Sequence, residues 1–367
     1  MSIALDIGSH RVTSLRFARE HLIGRQRRCV YAVLPNSESH RQLLAQSHVE
    51  HVPCDDGLLM LGEAAWDNAE LFHVHARPLF TQGTLPEHDP IARQLMATII
   101  EAVLPKATYQ GELCALSTPG SGGLRTEAAK SDFEFFNRVV RLQGYEPILV
   151  PTPSAVALAE LAPQGFTGIT IVCGASCCEA ALVHRGVVVC QSRQNYGGDW
   201  IDGRIAESLG LMSWDSMGER FCDISSATRL RECRPSFGQG FSAGALRRDK
   251  LGLPPIEKLA EPSEYSEVLR ASLLEVLCEL MSEFSNELTQ SRRGQDFNQP
   301  LPMVCGGGLA LTQGFLPILD AAIGSTDWHV RQQPPRIANG WPFNTARGLL
   351  IAAELETQAA MSNQRAA

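Results

Sequence analysis

Residues 169–205 constrain the fold most. They contain apolar runs of strand length at 169–172, 180–183 and 187–190, with a small-residue turn after the first and His184-Arg185-Gly186 after the second. The turn Gly174-Ala175-Ser176 has no bulky side chain, so its backbone N–H groups are expected to face an anion at close range. Gly197-Gly198-Asp199 then opens a helical pattern marked by Ile201, Ile205 and Leu209. Free N–H groups and the helix dipole favour phosphate at such a start. Strand, turn, two strands and a Gly-Gly-Asp helix start form a more specific pattern than any single glycine loop.

The N-terminus repeats that pattern. Ile3-Ala4-Leu5-Asp6-Ile7 is an apolar strand, Gly8-Ser9 a small polar turn, and residues 12–17 a second strand. Beside residues 169–183 it reads as the same unit used twice, a weak internal repeat. Asp6 lies at the end of the first strand, where a carboxylate can hold the water shell of a magnesium ion. A plain hairpin turn is the alternative reading of Asp6-Ile7-Gly8 taken alone.

Strands and helices alternate along the rest of the chain, which indicates an α/β fold with mixed sheets. Residues 58–61 read as a strand running into a helical start at Glu63. Helices are expected over 91–104, with Leu95, Ile99 and Val103 on one face, and over 126–143, closed by Gly144. Gly120-Ser121-Gly122-Gly123 precedes the second of these. Another strand covers 148–150, and Pro151-Thr152-Pro153-Ser154 starts a helix whose alanines permit close packing. Residues 225–241 and 251–264 are polar or proline-punctuated. A long amphipathic helix follows over 265–291, its apolar stripe (Leu273, Val276, Leu277, Leu280, Phe284) read as core.

Composition narrows the class. The 367 residues suffice for two domains, and 44% hydrophobic with 20% charged residues is ordinary for a soluble globular protein. A net charge of -8 with scattered Lys and Arg argues against nucleic acid as the main partner. No signal peptide or transmembrane segment is legible. The densest basic cluster, Arg25 to Arg28, reads as a solvated hairpin end. The 11 cysteines lack zinc-type spacing and read as buried thiols of a reducing cytoplasm, with a redox-active Cys177-Cys178 as the alternative. Trp200, Trp214 and Trp328 are expected in the core.

These residues resemble the actin-like ATPase superfamily, and within it most closely the bacterial actin MreB, over about residues 3–355. Asp6-Ile7-Gly8-Ser9 is similar to the family's first phosphate loop. Gly62-Glu63-Ala64-Ala65, Arg77-Pro78-Leu79 with Gly83, and Ser117-Thr118-Pro119 match further segments. Thr152-Pro153-Ser154-Ala155 occupies the first connecting motif. Gly174 and Glu179 anchor the second phosphate loop, followed by Gly197-Gly198-Asp199 with Asp202. Gly306-Gly307-Gly308 matches the glycine turn under the adenosine, and residues 344–348 the second connecting helix.

The resemblance implies two RNase-H-like domains around a nucleotide cleft, with small inserted subdomains. Residues 1–152 would form the first domain (small subdomain about 30–75) and 153–355 the second (small subdomain about 205–295), with 356–367 a flexible tail. ATP or ADP with Mg²⁺ would be held by Asp6, Gly8, Ser9, Gly174, Ala175, Ser176, Gly197, Gly198, Asp199, Gly306, Gly307 and Gly308. Asp6 would reach the metal through water, and Asp199 and Asp202 are further carboxylates nearby. The glycines at 306–308 would let the backbone approach the base and ribose.

Two departures set this chain apart. Val172 stands where the family has an aspartate that helps hold Mg²⁺. Thr152 stands where a glutamate positions the attacking water, and a threonine is a poor base at neutral pH. The expectation is a nucleotide-binding, filament-forming cytoskeletal protein with weak or lost ATP hydrolysis, cytoplasmic, self-associating or joined to a membrane-associated complex. The alternatives are a non-polymerising scaffold of the FtsA or PilM type, and a chain whose glycines serve only the turns of the fold.

Overall fold

The computed structural model describes residues 2–18, 20–55, 57–87, 89–119, 126–214, 220–233, 262–291, 297 and 299–366. In chain order the first elements are β1 (Ile3–Ile7), β2 (Arg11–Ala18), β3 (His21–Arg28), β4 (Val30–Leu34), α1 (Glu38–Gln46), β5 (Val52–Cys54), β6 (Gly57–Leu61), α2 (Glu63–Asn68), β7 (Arg77–Pro78), α3 (Pro90–Val103), β8 (Glu112–Ser117), α4 (Glu127–Leu142), β9 (Tyr145–Leu149) and α5 (Thr152–Glu160). Then come β10 (Gly168–Cys173), β11 (Cys178–His184), β12 (Val187–Gln194), α6 (Gly198–Ser208), β13 (Met212–Trp214), β14 (Arg220–Cys222), α7 (Ile224–Cys233), α8 (Pro262–Ser291), β15 (Met303–Gly306), α9 (Phe315–Gly324), β16 (Arg336–Ile337) and α10 (Asn344–Ala366).

Contacts divide the chain into two compact units, Met1–Phe166 with Asn339–Ala367, and Thr167–Ala338. The sequence reading put the division after Thr152 and so assigned α5 and most of α10 to the second domain. By contact both helices belong to the first unit, because they cross each other at closest approach. A Cβ on Gly348 would lie 1.7 Å from the Ala155 carbonyl oxygen. Only glycine fits there, and Ala155, Ala346, Leu349 and Ala353 pack with Ala4, Leu15 and Ala115 of the sheet.

The two units are built on the same sheet. The first has the strand order β3-β2-β1-β8-β9 and the second β12-β11-β10-β15-β16. In each, the lead strand (β1 or β10) runs antiparallel to the next strand and parallel to the fourth in order. Both lead strands are apolar and buried nearly throughout, as strands covered on two faces must be. The internal repeat is therefore a repeat of topology.

Local chemistry starts the helices where the sequence suggested. Asp89 caps α3 by accepting from Ile91 N and Ala92 N, with Pro90 in the first turn. Thr126 caps α4 through Ala129 N. The apolar stripe of α8 enters the core of the second unit, where Leu273, Leu277, Leu280 and Phe284 are fully buried with Ile169, Ile171 and Ile205. A four-stranded sheet, β5-β6-β4-β7, has its own core of Val30, Ala32, Leu34, Leu44, Leu58 and Met60.

Several expectations change. The basic run at Arg25 to Arg28 is the second half of strand β3; Arg28 is buried, with its guanidinium 4.4 Å from the centre of the Trp66 ring. Trp214 is 61% exposed instead of core, because it sits in the two-stranded β13-β14 ribbon. Residues 356–366 continue α10 instead of forming a frayed tail, which suits their Ala, Glu and Gln content. Residues 120–123, 234–241 and 251–261 lie outside the described residues.

Candidate functional site

The first glycine turn joins β1 to β2. Gly8 N–H donates to Arg11 O at 2.9 Å, and Cys29 N–H braces the turn through His10 O at 2.9 Å. Ser9 is buried within it. Asp6 faces Thr13 on β2 and Ser117 on β8. Ser117 Oγ donates to Asp6 Oδ1 at 2.6 Å. Burial raises the Asp6 carboxyl to about 6, against the lowering effect of the Ser117 hydrogen bond. Thr13 is buried, and its hydroxyl has no hydrogen-bond partner.

The second glycine turn closes in the same way. Gly174 N–H donates to Cys177 O at 2.9 Å, and Ala175 and Ser176 form the bend. The start of α6 lies directly against it. A Cβ on Gly197 would meet Ala175 O at 2.5 Å and Cys177 N at 2.7 Å, so only glycine allows this approach. Gly198 N–H donates to Gly174 O at 3.0 Å and Asp199 N–H to Ala175 O at 2.8 Å. The sequence reading expected these N–H groups to be free for phosphate. They instead fasten the helix to the turn, so Gly197-Gly198-Asp199 acts first as its brace.

Asp202 is likewise committed. Fully buried, it accepts from Arg231 Nε at 2.7 Å, from Arg231 Nη2 at 2.8 Å and from Thr228 Oγ1 at 2.8 Å. This clamp ties α6 to α7 and commits both Asp202 oxygens to donors of the protein. Arg231 was not legible as its partner because the pairing spans two helices.

The glycine turn after β15 also differs from its expected use. Gly307 has φ +87°, and a Cβ there would lie 2.1 Å from the Cys173 carbonyl oxygen. Its requirement for glycine is thus set inside the protein, by the close pass of β10. Gly306 is buried at the end of β15, and Gly308 is exposed at the entry to a short 3-10 turn, Leu309–Leu311. Thr152 is half-buried at the first position of α5.

Near the second turn Cys173, Cys178 and Cys305 are buried thiols and Cys177 is half-buried. Cys173 and Cys178 face each other across β10 and β11 with Cys305 close by, and all three are fully buried. Burial, the nearby Glu179 and lesser effects push the Cys177 thiol up to about 12, which removes the thiolate that redox chemistry needs. A cavity of about 650 Å³ in the second unit, lined by Gln194, Tyr196, Glu279, Ser282, Glu283 and Ser325, contains none of the nominated residues. Its two carboxylates repel a polyphosphate.

Val172 occupies in the second sheet the place of Asp6 in the first, two residues before the glycine. It faces Glu179 on β11 and Gly306 on β15. Glu179 is buried, and its Oε1 has no hydrogen-bond donor. Burial raises its carboxyl and the Arg193 guanidinium opposes that rise. Each turn thus has one buried polar atom without a hydrogen-bond partner beside it, Thr13 Oγ1 at the first and Glu179 Oε1 at the second.

Duplicated five-stranded sheets, each turning on glycine after its lead strand, define an actin-like ATPase fold. The chain belongs to the Volactin family, whose model matches residues 1–353. By structure it is similar to MreB5 of Spiroplasma citri bound to AMPPNP, at 15% identity over 98% of each chain with a TM-score of 0.62. It is similar to the ethanolamine utilization protein EutJ from Carboxydothermus hydrogenoformans, at 15% identity over 95% of this chain and 89% of that one, with a TM-score of 0.51. It is also similar to MamK in a double helical filament, at 13% identity over 96% and 99% of the chains, with a TM-score of 0.52. No curated protein matches the chain by sequence.

Proposed function

We propose that the chain is an MreB-like cytoskeletal protein that binds ATP or ADP with Mg²⁺, assembles into filaments and hydrolyses ATP slowly or not at all. The observation that carries this reading is the paired glycine turn with unequal chemistry. The first keeps a carboxylate, Asp6, oriented by Ser117, while the second has Val172 in its place. Asp6 would accept from water around the metal, and Ser9, Ala175 and Ser176 would present small turn residues to phosphate. Mg²⁺, when bound, supplies neutralisation of phosphate charge. Thr152 offers a hydroxyl that orients water without deprotonating it, so bound nucleotide would persist. Support for nucleotide and self-assembly comes from MreB5, solved with AMPPNP and with ADP, and from the MamK filament.

The commitment of the Gly198 and Asp199 N–H groups to the second turn favours a second reading, a non-polymerising scaffold that has lost nucleotide. No described helix is long and apolar enough to cross a membrane. A cytoplasmic location, with any membrane association made through partners, belongs to the same proposal. Ultracentrifugation with ATP and Mg²⁺, followed by electron microscopy of the pellet, tests it. Filaments are expected; a monomer that stays in the supernatant at all nucleotide conditions favours the scaffold.

A further inference from the structure

Strand β3 ends the sheet of the first unit, with β2 as its neighbour in strand order. It is eight residues long and exposed from His21 to Gln26. Every second residue of such an edge strand turns its N–H and C=O away from the sheet. Among the described residues, no backbone hydrogen bond reaches residues 21–27 from that side. Natural edges are blunted by proline, by bulges or by charge, and an unblunted edge pairs with another strand. β3 has no proline, and its register with β2 runs unbroken from Arg28 opposite Arg11 to His21 opposite Ala18.

Charge is the device that remains, and it has one sign. The strand carries Arg25, Arg27 and Arg28 and no carboxylate. Arg28 is buried against Trp66, and Arg27 stands 3.5 Å from Glu63. Arg25 is exposed and makes no hydrogen bond or ion pair among the described residues. Apolar surface flanks it: Leu22 is 57% exposed, Ile23 48%, and Phe17, opposite Leu22 on β2, 51%. That surface costs free energy in water, which a covering strand would recover. At mid-edge the Phe343 ring lies over the backbone, 2.7 Å from where a Cβ on Gly24 would stand.

We propose that the free edge of β3 accepts an extended segment of a partner protein as an added strand, with carboxylates opposite Arg25 and Arg27 and apolar residues opposite Leu22, Ile23 and Gly24. Charge complementarity selects this occupant. A second copy's β3 would bring Arg25 and Arg27 of one strand beside those of the other, with no carboxylate on either, and like charges across strands are destabilising. An acidic strand gains where that pairing loses. Main-chain hydrogen bonds give such an addition its affinity, and the alternate side chains choose the partner. The inference concerns the first unit alone and stands whether or not nucleotide binds.

Fluorescence anisotropy with a labelled, end-blocked peptide of sequence ETEVVV tests this beside its lysine counterpart, KTKVVV, on the native chain and on Arg25→Glu, with thermal melting as the check on folding. The native chain is expected to bind the acidic peptide with a Kd below about 100 μM and at least about tenfold more tightly than the basic one. Arg25→Glu is expected to reverse that preference. Methylating the acidic peptide's backbone nitrogens at alternate positions needs no variant: one set is expected to abolish binding and the other to spare it, which ionic attraction alone does not produce. An unchanged preference in folded Arg25→Glu, or binding spared by both methylated sets, overturns the proposal. So does the absence of peptide binding at millimolar concentration; sedimentation with phosphatidylglycerol vesicles in that case would assign the edge to a lipid surface instead.

Discussion

Asp6 and Val172 occupy equivalent places and impose opposite demands. The raised carboxyl of Asp6, at about 6 against an ordinary 3.8, means that the folded state holds its proton more tightly than the unfolded chain does. That proton-linked stability is complete below the unfolded value and is lost as pH rises through about 6. Asp6→Asn, which still accepts from Ser117, is expected to stabilise the nucleotide-free protein by about 1–3 kcal/mol near neutral pH and by nothing below about pH 4. Urea unfolding at the two pH values measures the difference. On the proposed function the effect moves the other way: the ionised form would serve the cation, so Mg²⁺-dependent nucleotide affinity is expected to fall as pH drops through about 6. Restoring the two missing carboxylates together, Val172→Asp with Thr152→Glu, is expected to raise ATP turnover by about tenfold or more. A phosphate-release assay giving the native rate would show that the slow step lies elsewhere.

At the scale of elements, glycine positions hold the turns and helices in contact. Gly348→Ala drives a methyl into the Ala155 carbonyl and is expected to cost about 3 kcal/mol or more, read by denaturant melting. Gly307→Ala adds a left-handed φ to a clash with the Cys173 carbonyl and should be at least as harmful. Much of this architecture was legible in the sequence. Apolar runs broken by Gly8 and Gly174 marked the hairpins, Thr126 and Gly144 bounded a helix, and the stripe from Leu273 to Phe284 marked a core helix. What was not legible depends on register or long-range pairing. The N–H groups of Gly198 and Asp199 read as free until the turn of β10 and β11 came to rest on them. Glu179 read as an alignment anchor until its place opposite Val172 was known. Arg28 looked solvated because Trp66, which covers it, lies 38 positions further along the chain.

The whole molecule is two units of one topology whose second copy has kept its backbone and changed its chemistry. Shared strand order and the Gly8 and Gly174 closures survive, because a sheet edge and its turn depend on backbone geometry. The side chains at the two turns differ, Asp6 in the first standing where Val172 stands in the second. Net charge belongs to this scale as well. Copies carrying -8 repel one another, so the fraction sedimenting with ATP and Mg²⁺ is expected to rise between low and physiological salt. A fall over that range would mean that ion pairs between copies dominate assembly. The central proposal is that the chain binds nucleotide although Val172 and Thr152 stand where the resemblance leads one to expect carboxylates. Calorimetric titration of the native chain with ATP and ADP, each with and without Mg²⁺, tests it most directly. Micromolar binding that tightens with Mg²⁺ is the expected result. No heat at millimolar nucleotide would contradict it and leave the glycine turns as parts of the fold alone.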